Sequence, residues 1–288
     1  MSLVCHTRHT GMVITIIIPL LLLLLLLIVT IINRYLTDDG TGLNFEGLLG
    51  DLESAPPKSV IILHACAHNP TGIDPTDEQW TKILSVIQAK NHIPFFDNAY
   101  QGFVSGDTNI DAYSIRLFAS TGIEMFIACS FAKNFGLYGE RVGALHIFTE
   151  ESDVPSIPNI TSQLRCISRA IYSTCPAYGA RIVGTVLSNP VLKLQWENEC
   201  SGMATRLNTV RKALYDSLVK NNVKGTWEHV VTQRGMFSYT GIPAWAVQRL
   251  RDEYHIYMLA NGRISLAGLN TDNVETFVAA LKNILGTN

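Results

Sequence analysis

The chain has 288 residues, a formal net charge of -2 and 16% charged residues. This length is enough for one large domain or two ordinary ones with a full hydrophobic core. No basic run is longer than a pair, so the sequence lacks the electrostatic pattern of a nucleic-acid-binding protein. The six cysteines form no C-x-x-C pair, and neither a metal site nor a disulfide framework is predicted.

An uncharged apolar run extends from Val13 to Ile32 and includes eight consecutive leucines. Its length is close to the roughly 20 residues that a membrane-spanning helix needs. We therefore expect residues 1–34 to form a single N-terminal span that associates with a membrane, with the rest of the chain in the cytosol. A cleaved signal peptide is one alternative, although no small-residue cleavage site follows. An incorrect gene prediction that adds this segment to a cytosolic protein is another.

Short apolar runs and helical patterns alternate after this segment. Apolar runs predict strands at Val60–Leu63, Ile93–Phe96 and Met125–Ala128. A capping-box sequence at Thr76–Gln79 opens a helix with one apolar face, and Asp111–Ser120 predicts a short helix. Strands that alternate with helices predict an α/β fold with a mainly parallel sheet that is covered on both faces.

The C-terminal half is mostly helical and then mixed. Helical patterns run from Pro158 to Lys220 and end in a long amphipathic stretch, Val191–Val219. Helices are also predicted after Pro243 and after Thr271. Three short strands are predicted at Met236–Tyr239, Ile256–Met258 and Arg263–Ser265. We expect a large domain over residues 35–190 and a smaller α+β domain, beginning with the long helix, over residues 191–288.

Polar residues follow the predicted strands. Lys133 comes after one apolar strand, where burial would lower the pKa of its amine and make it a nucleophile. Asp97 ends another strand, at the edge where open α/β sheets bind ligands. His64 and the Asn69-Pro70 turn follow a third. Taken singly, such a lysine is usually a solvated loop residue, and such an aspartate usually forms a turn or a helix cap.

Three sequence strings favour the functional interpretation. They are HACAHNPTG from His64, FFDNAYQGF from Phe95 and SFAKNFGLYGERVG from Ser130. In order and spacing they resemble three motifs of class I aspartate aminotransferases, and the resemblance extends from about Tyr35 to the C-terminus. It implies an enzyme that uses pyridoxal 5'-phosphate (PLP) and works as a homodimer. Its substrates would be an amino acid, L-aspartate, and a 2-oxo acid, 2-oxoglutarate. The products would be oxaloacetate and L-glutamate.

The resemblance also assigns roles in cofactor binding. Lys133 would form the Schiff base with PLP and transfer the substrate's α-proton. Asp97 would pair with the pyridinium nitrogen, which makes the ring an electron sink. Tyr100 and Asn69 would hydrogen-bond the phenolic oxygen of the cofactor. His64 would stand behind Asp97 and orient it.

Four further residues complete the implied site. Ser130 and Arg141 would bind the cofactor phosphate. Arg263, in a Gly-Arg-Ile-Ser segment, would take the substrate's α-carboxylate through a bidentate fork. Arg169 would reach across the dimer to the side-chain carboxylate of the neighbouring subunit's substrate, and Arg165 is a nearby competitor for that role.

The sequence also departs from the family. Ala132 stands where family members carry a serine. The family's N-terminal part, with its phosphate loop, ring-stacking tryptophan and partner-directed tyrosine, has no counterpart. We therefore expect an incomplete PLP-transferase large domain, preceded by the apolar transmembrane-like helix, that binds PLP more weakly than full-length relatives. The alternative function is a non-catalytic or weakly active membrane-tethered protein.

Overall fold

The computed structural model describes residues 3–6, 12–16, 34–149 and 155–288. A six-stranded sheet forms the centre of the first half. Its strands are β1 (Leu3–His6), β2 (Met12–Ile16), β3 (Val60–His64), β4 (Ile93–Asn98), β5 (Met125–Ser130) and β6 (Gly143–Thr149). The strands predicted at residues 60, 93 and 125 are confirmed, and each is one or two residues longer than expected.

The strand order is β1-β2-β6-β5-β4-β3. Strands β3, β4 and β5 are parallel neighbours, whereas β6 returns antiparallel to β5, and β2 and β1 continue the antiparallel part. The prediction of an α/β fold is confirmed. The sheet is mixed, because β6, which was not predicted, runs antiparallel to β5. The carboxyl ends of the three parallel strands lie at one edge of the sheet, where the polar residues follow them.

The predicted N-terminal helix is wrong for the part of the segment that the structure describes. Residues 12–16 form strand β2, which pairs antiparallel with β6 from Met12 opposite Thr149 to Ile16 opposite Leu145. The β-branched residues at positions 13–16 favour this extended conformation. Residues 17–33 of the predicted span lie outside the described residues. Within the described parts of the chain, no helix is both long and apolar enough to cross a membrane.

The described residues of the first half contain three helices: α1 (Phe45–Ser54), α2 (Asp77–Ala89) and α3 (Tyr113–Ala119). The capping box of α2 forms as predicted, because the Thr76 hydroxyl accepts the Gln79 backbone N–H and the Gln79 side chain accepts the Thr76 N–H. The buried face of α2 consists of Trp80, Ile83, Leu84 and Ile87. This face packs in one core cluster with residues of β3, β4 and β5, and so fixes the helix on the sheet.

The second half contains six helices in its described residues. They are α4 (Ile157–Tyr172), α5 (Tyr178–Ser188), α6 (Pro190–Lys220), α7 (Glu228–Thr232), α8 (Ala244–Tyr254) and α9 (Thr271–Leu285). Strands β7 (Phe237–Tyr239) and β8 (Arg263–Ser265) form a small antiparallel sheet. The strand predicted at Ile256–Met258 is wrong. Its side chains alternate between the core and solvent as in a strand. However, the small sheet consists of β7 and β8 alone, and these residues pair with neither strand.

One apolar core joins the second half to the loops at the sheet edge. It contains Cys66 and Ala67, which follow β3, and Ala99, Tyr100 and Phe103, which follow β4, together with buried residues of α6, α8 and α9. The packing therefore places the small sheet beside the carboxyl ends of the parallel strands. The domain boundary between residues 190 and 191 stays a prediction.

Candidate active site at the strand ends

Strand register brings the predicted polar residues to one edge. His64 lies opposite Asp97 across the β3–β4 ladder, and Asp97 lies opposite Ala128 across β4–β5. Because these strands are parallel, the loops that follow them leave the sheet on the same side. Those loops carry Asn69, Tyr100 and Lys133.

Lys133 lies half-buried in the loop between β5 and β6. Its Nζ is 4.5 Å from the centroid of the Tyr100 ring and 5.8 Å from that of Tyr138. Burial lowers the pKa of the amine, the Asp97 carboxylate opposes this by raising it, and the Arg141 charge lowers it. A larger share of the amine is therefore neutral, which is the form that attacks a carbonyl carbon.

Asp97 is half-buried at the end of β4. Its backbone carbonyl accepts the Ala65 N–H, whereas its carboxylate receives no hydrogen bond from any residue in the described parts of the chain. Carboxylates that are partly buried usually accept hydrogen bonds from the protein. The free acceptor therefore leaves a place for a ligand's N–H.

Asn69 links two other site residues. Its Oδ1 accepts a hydrogen bond from Arg263 Nη1 at 2.7 Å, and its side chain lies close enough to the Tyr100 hydroxyl to lower the pKa of that group. Tyr100 is buried, and burial raises the pKa of its hydroxyl to about 12, with smaller contributions from Tyr138 and Asp97. The phenol therefore keeps its proton at neutral pH and can donate it in a hydrogen bond.

Phe237 is a site residue that the sequence analysis missed. The Arg263 Cζ atom lies 4.5 Å from the centroid of its ring, a cation–π contact, and the ring meets Tyr100 edge-on with centroids 6.1 Å apart. Phe237 is on β7 and Arg263 on β8, and the pairing of these strands brings them together. The only sequence signal was the predicted strand at residues 236–239, which contains no charged residue to mark a site.

His64 contacts the site from behind. Its Nδ1 accepts the Asn69 backbone N–H at 3.4 Å, which favours the tautomer with the proton on Nε2. Its ring lies against His68 with centroids 4.6 Å apart, and Tyr35 stacks on His68 at 4.1 Å. Burial lowers the pKa of His64, and the charge of Asp97 opposes the shift.

The two predicted phosphate ligands lie near Lys133. Ser130 is the last residue of β5, and its Oγ accepts the Ala132 N–H at 3.3 Å. Arg141 is exposed, with Nη1 donating to the Tyr138 carbonyl at 3.2 Å. An exposed guanidinium and a hydroxyl beside the Lys133 amine form a setting suited to an anion.

Arg169 is the one predicted site residue whose guanidinium has no hydrogen bond, ion pair or ring contact among the described residues. It lies exposed in the last turn of α4. Arg165, one turn earlier, is also exposed, so the geometry within one chain does not separate the two candidates.

A family model described as "Aminotransferase class I and II" matches residues 28–281. The chain belongs to this aminotransferase family. The cytoplasmic aspartate aminotransferase of Dictyostelium discoideum is 53% identical over 240 residues, which are 83% of this aminotransferase chain and 54% of that relative. The mitochondrial aspartate aminotransferase of Schizosaccharomyces pombe is 49% identical over 252 residues, 87% of this chain and 57% of that relative. The chain spans about half the length of the curated relatives it matches.

Solved structures confirm the fold of this aminotransferase chain. A mitochondrial aspartate aminotransferase from Trypanosoma brucei superposes with a TM-score of 0.83 at 44% identity, covering 87% of this chain and 65% of that one. An aromatic-amino-acid aminotransferase from Burkholderia pseudomallei, covalently bound to pyridoxal phosphate, gives a TM-score of 0.83 at 40% identity over 88% and 62%. The family and the α/β fold predicted from the three motifs are therefore confirmed.

Proposed function

We propose that this chain carries the cofactor and substrate site of a PLP-dependent aspartate aminotransferase, which converts L-aspartate and 2-oxoglutarate to oxaloacetate and L-glutamate. The observation that carries the proposal is the Lys133 amine, of lowered pKa, which lies 4.5 Å from the centre of the Tyr100 ring and interacts with the charge of the Asp97 carboxylate. The relatives with 49–53% identity that bear this enzyme's name support the choice of reaction.

The described residues fit the cofactor. The half-buried carboxylate of Asp97, which has no hydrogen-bond donor among the described residues, would accept the N–H of a pyridinium ring. Tyr100 and Asn69 would hydrogen-bond the phenolic oxygen, and Ser130 and Arg141 would bind the phosphate. When bound, PLP supplies an electron-withdrawing ring that stabilises negative charge on the substrate's α-carbon.

Lys133 would serve two purposes in this scheme. Its amine would hold the cofactor covalently between turnovers, which requires the neutral form that burial favours. During turnover, Nζ would take the α-proton of the substrate as a general base and donate it again as a general acid. The Tyr100 and Tyr138 rings lie against the amine and limit the directions in which it can move.

His64 would act through Asp97. With Nδ1 engaged by the Asn69 N–H, the proton on Nε2 is free to reach the carboxylate that lies opposite in the ladder. Burial holds the imidazole neutral, so it would orient Asp97 without cancelling its charge.

Two arginines would recognise the substrate. Arg263 would bind the α-carboxylate, because Phe237 and Asn69 fix the plane of its guanidinium while the remaining N–H groups are free of protein acceptors in the described residues. Arg169 would bind the side-chain carboxylate in the site of a partner subunit. Its exposed guanidinium, which has no acceptor among the described residues, supports a role in a homodimer.

A titration with PLP tests the proposal. Wild-type protein should form an absorption band that borohydride reduction fixes to Lys133, as a peptide mass shift. Lys133→Ala should lose the adduct, whereas Lys220→Ala, which removes an exposed lysine at the end of α6, should keep it. The proposal is wrong if Lys133→Ala retains the same adduct, or if adduct-bearing protein does not transaminate aspartate with 2-oxoglutarate.

A further inference from the structure

The segment that carries Lys133 has few hydrogen bonds of its own. We call residues 131–136 the lysine loop. The Phe131 N–H donates to the Val142 carbonyl at 3.1 Å, and the Gly136 N–H donates to the Lys133 carbonyl at 3.0 Å. The amine can work at one place only if this loop stays at one place. Contacts from elsewhere in the chain must therefore hold the loop.

Trp196, on α6, makes two contacts with the lysine loop. Its Nε1–H donates to the carbonyl of Asn134, the residue after Lys133, at 2.7 Å across 62 positions of sequence. Its ring stacks on Phe135 with centroids 4.7 Å apart and planes inclined by 22°. One turn later, the Cys200 thiol donates weakly to the same Asn134 carbonyl at 3.5 Å. One face of α6 thus fixes both residues that follow Lys133.

The same turn of α6 also lies against the loop that carries Tyr100. A Cβ on Gly102 would lie 3.7 Å from the Cβ of Cys200, and a Cβ on Gly106 would come within 3.1 Å of the Ser201 Cα. The two loops are joined directly as well, because Asn134 Nδ2 donates to the Gln101 carbonyl at 3.2 Å. Helix α6 therefore sets the position of the lysine loop relative to the ring beneath its amine.

We propose that Trp196 is a positioning residue for Lys133, whose indole N–H and ring hold the lysine loop on α6 and so keep Nζ over the face of Tyr100. Removing the N–H would free the Asn134 carbonyl to seek water. The loop would then move outward, and water would reach the amine. Its importance for transamination rests on the function proposed above, whereas the positioning itself does not.

The test is the pH dependence of Lys133 acylation by acetic anhydride in protein without PLP, followed at each lysine by mass spectrometry. Trp196→Phe keeps the stacked ring and loses the donor. The pH midpoint of Lys133 acylation should rise by about 0.3 to 1 pH unit, because hydration relieves the burial that lowers the lysine pKa. At a pH below the midpoint, this rise corresponds to about a two- to tenfold smaller fraction of neutral amine. Lys220, which is exposed, serves as an internal reference.

Trp245→Phe is the matched control, since Trp245 is 54% exposed on α8. It should leave the Lys133 midpoint unchanged. The proposal is overturned if Trp196→Phe shifts the midpoint no more than this control, even where both variants lower the unfolding temperature, because a merely structural role would affect stability alone.

A second variant covers the case in which Trp196→Phe does not fold. Phe135→Leu removes the ring on which the indole stacks and retains the indole N–H. A rise in the Lys133 midpoint supports the positioning role, and an unchanged midpoint overturns it. A missing PLP adduct in the wild type would contradict the proposed function, and the acylation midpoints would still decide the role of Trp196.

Discussion

At the scale of single residues, the carboxylate of Asp97 acts on several neighbours, three of which belong to the proposed site. Its charge raises the pKa of Lys133, of His64 and of Tyr100. For the lysine, this partly offsets the burial that lowers its pKa. Asp97 therefore has two opposed effects on the proposed chemistry. It would hold the protonated cofactor ring, but it also makes the amine less nucleophilic.

Asp97→Asn separates these two effects. The Lys133 acylation midpoint should fall, because the charge that raises the lysine pKa is gone. Transamination should nevertheless decrease about 10- to 150-fold, since a charge-assisted hydrogen bond worth about 1.5–3 kcal/mol is lost. Parallel pH titrations and kcat/KM measurements check both. Asp38→Asn, at an exposed position, should change neither, and an unchanged or higher lysine midpoint in Asp97→Asn would contradict the electrostatic account.

At the scale of elements, α6 contacts a second part of the site through Arg211. This guanidinium is 3% exposed and donates to the carbonyls of Val230, Gly235 and Phe237 at 2.7–2.9 Å. Burial lowers its pKa to about 10. The hydrogen bond to the Phe237 carbonyl ties β7 to the helix, and the other two hold the segment that precedes this strand. Strand β7 carries the ring that supports Arg263. The long helix thus holds both the lysine loop and the strand beneath the substrate-binding arginine.

Arg211→Met should destabilise the fold and loosen substrate binding together. Three buried carbonyls would lose their donor, at about 1–3 kcal/mol each if no water replaces it. We expect a loss of at least about 2 kcal/mol in the free energy of unfolding, measured with denaturant, and a higher KM from a less fixed Arg263. Arg206→Met is the control, because Arg206 is exposed and donates to two carbonyls at 3.1 and 3.4 Å. Equal losses in the two variants would show that burial is not the source of the effect.

At the scale of the whole molecule, the proposed substrate pocket needs two copies of the chain. Arg263 belongs to the cluster of its own subunit, whereas Arg169 lies exposed on α4 and has no hydrogen bond to that cluster in the described residues. In the proposed homodimer, each site would combine Arg263 of one subunit with Arg169 of the other. Preference for dicarboxylic substrates would then depend on assembly.

Arg169→Leu should lower kcat/KM for aspartate by about 10- to 150-fold more than for alanine, because alanine has no side-chain carboxylate to pair with the guanidinium. The matched control is Arg165→Leu, one turn earlier on the same helix and equally exposed. It should affect both substrates alike and weakly. If Arg165→Leu shows the selective loss and Arg169→Leu does not, the roles of the two arginines are reversed.

The sequence alone determined the elements whose pattern is local. The capping box at Thr76, the apolar face of α2 and the strands that precede Asp97 and Lys133 were predicted, because helix caps, burial faces and strand ends depend on neighbouring residues. The three motifs also fixed the family. Eight of the predicted site residues lie in one cluster or beside it, at the strand ends and on β8, whereas the Arg169 guanidinium has no hydrogen bond to that cluster in the described residues.

The tertiary structure alone decided which distant segments meet. Residues 12–16 form a strand rather than a helix because their backbone pairs with β6. Ile256–Met258 does not form a strand, since these residues pair with none of the described strands. Arg263 bonds Asn69 across 194 positions, and Trp196 reaches the lysine loop across 62. Local patterns specify which backbone groups need hydrogen-bond partners and which apolar faces need to be buried. The choice of partner depends on how the whole chain packs.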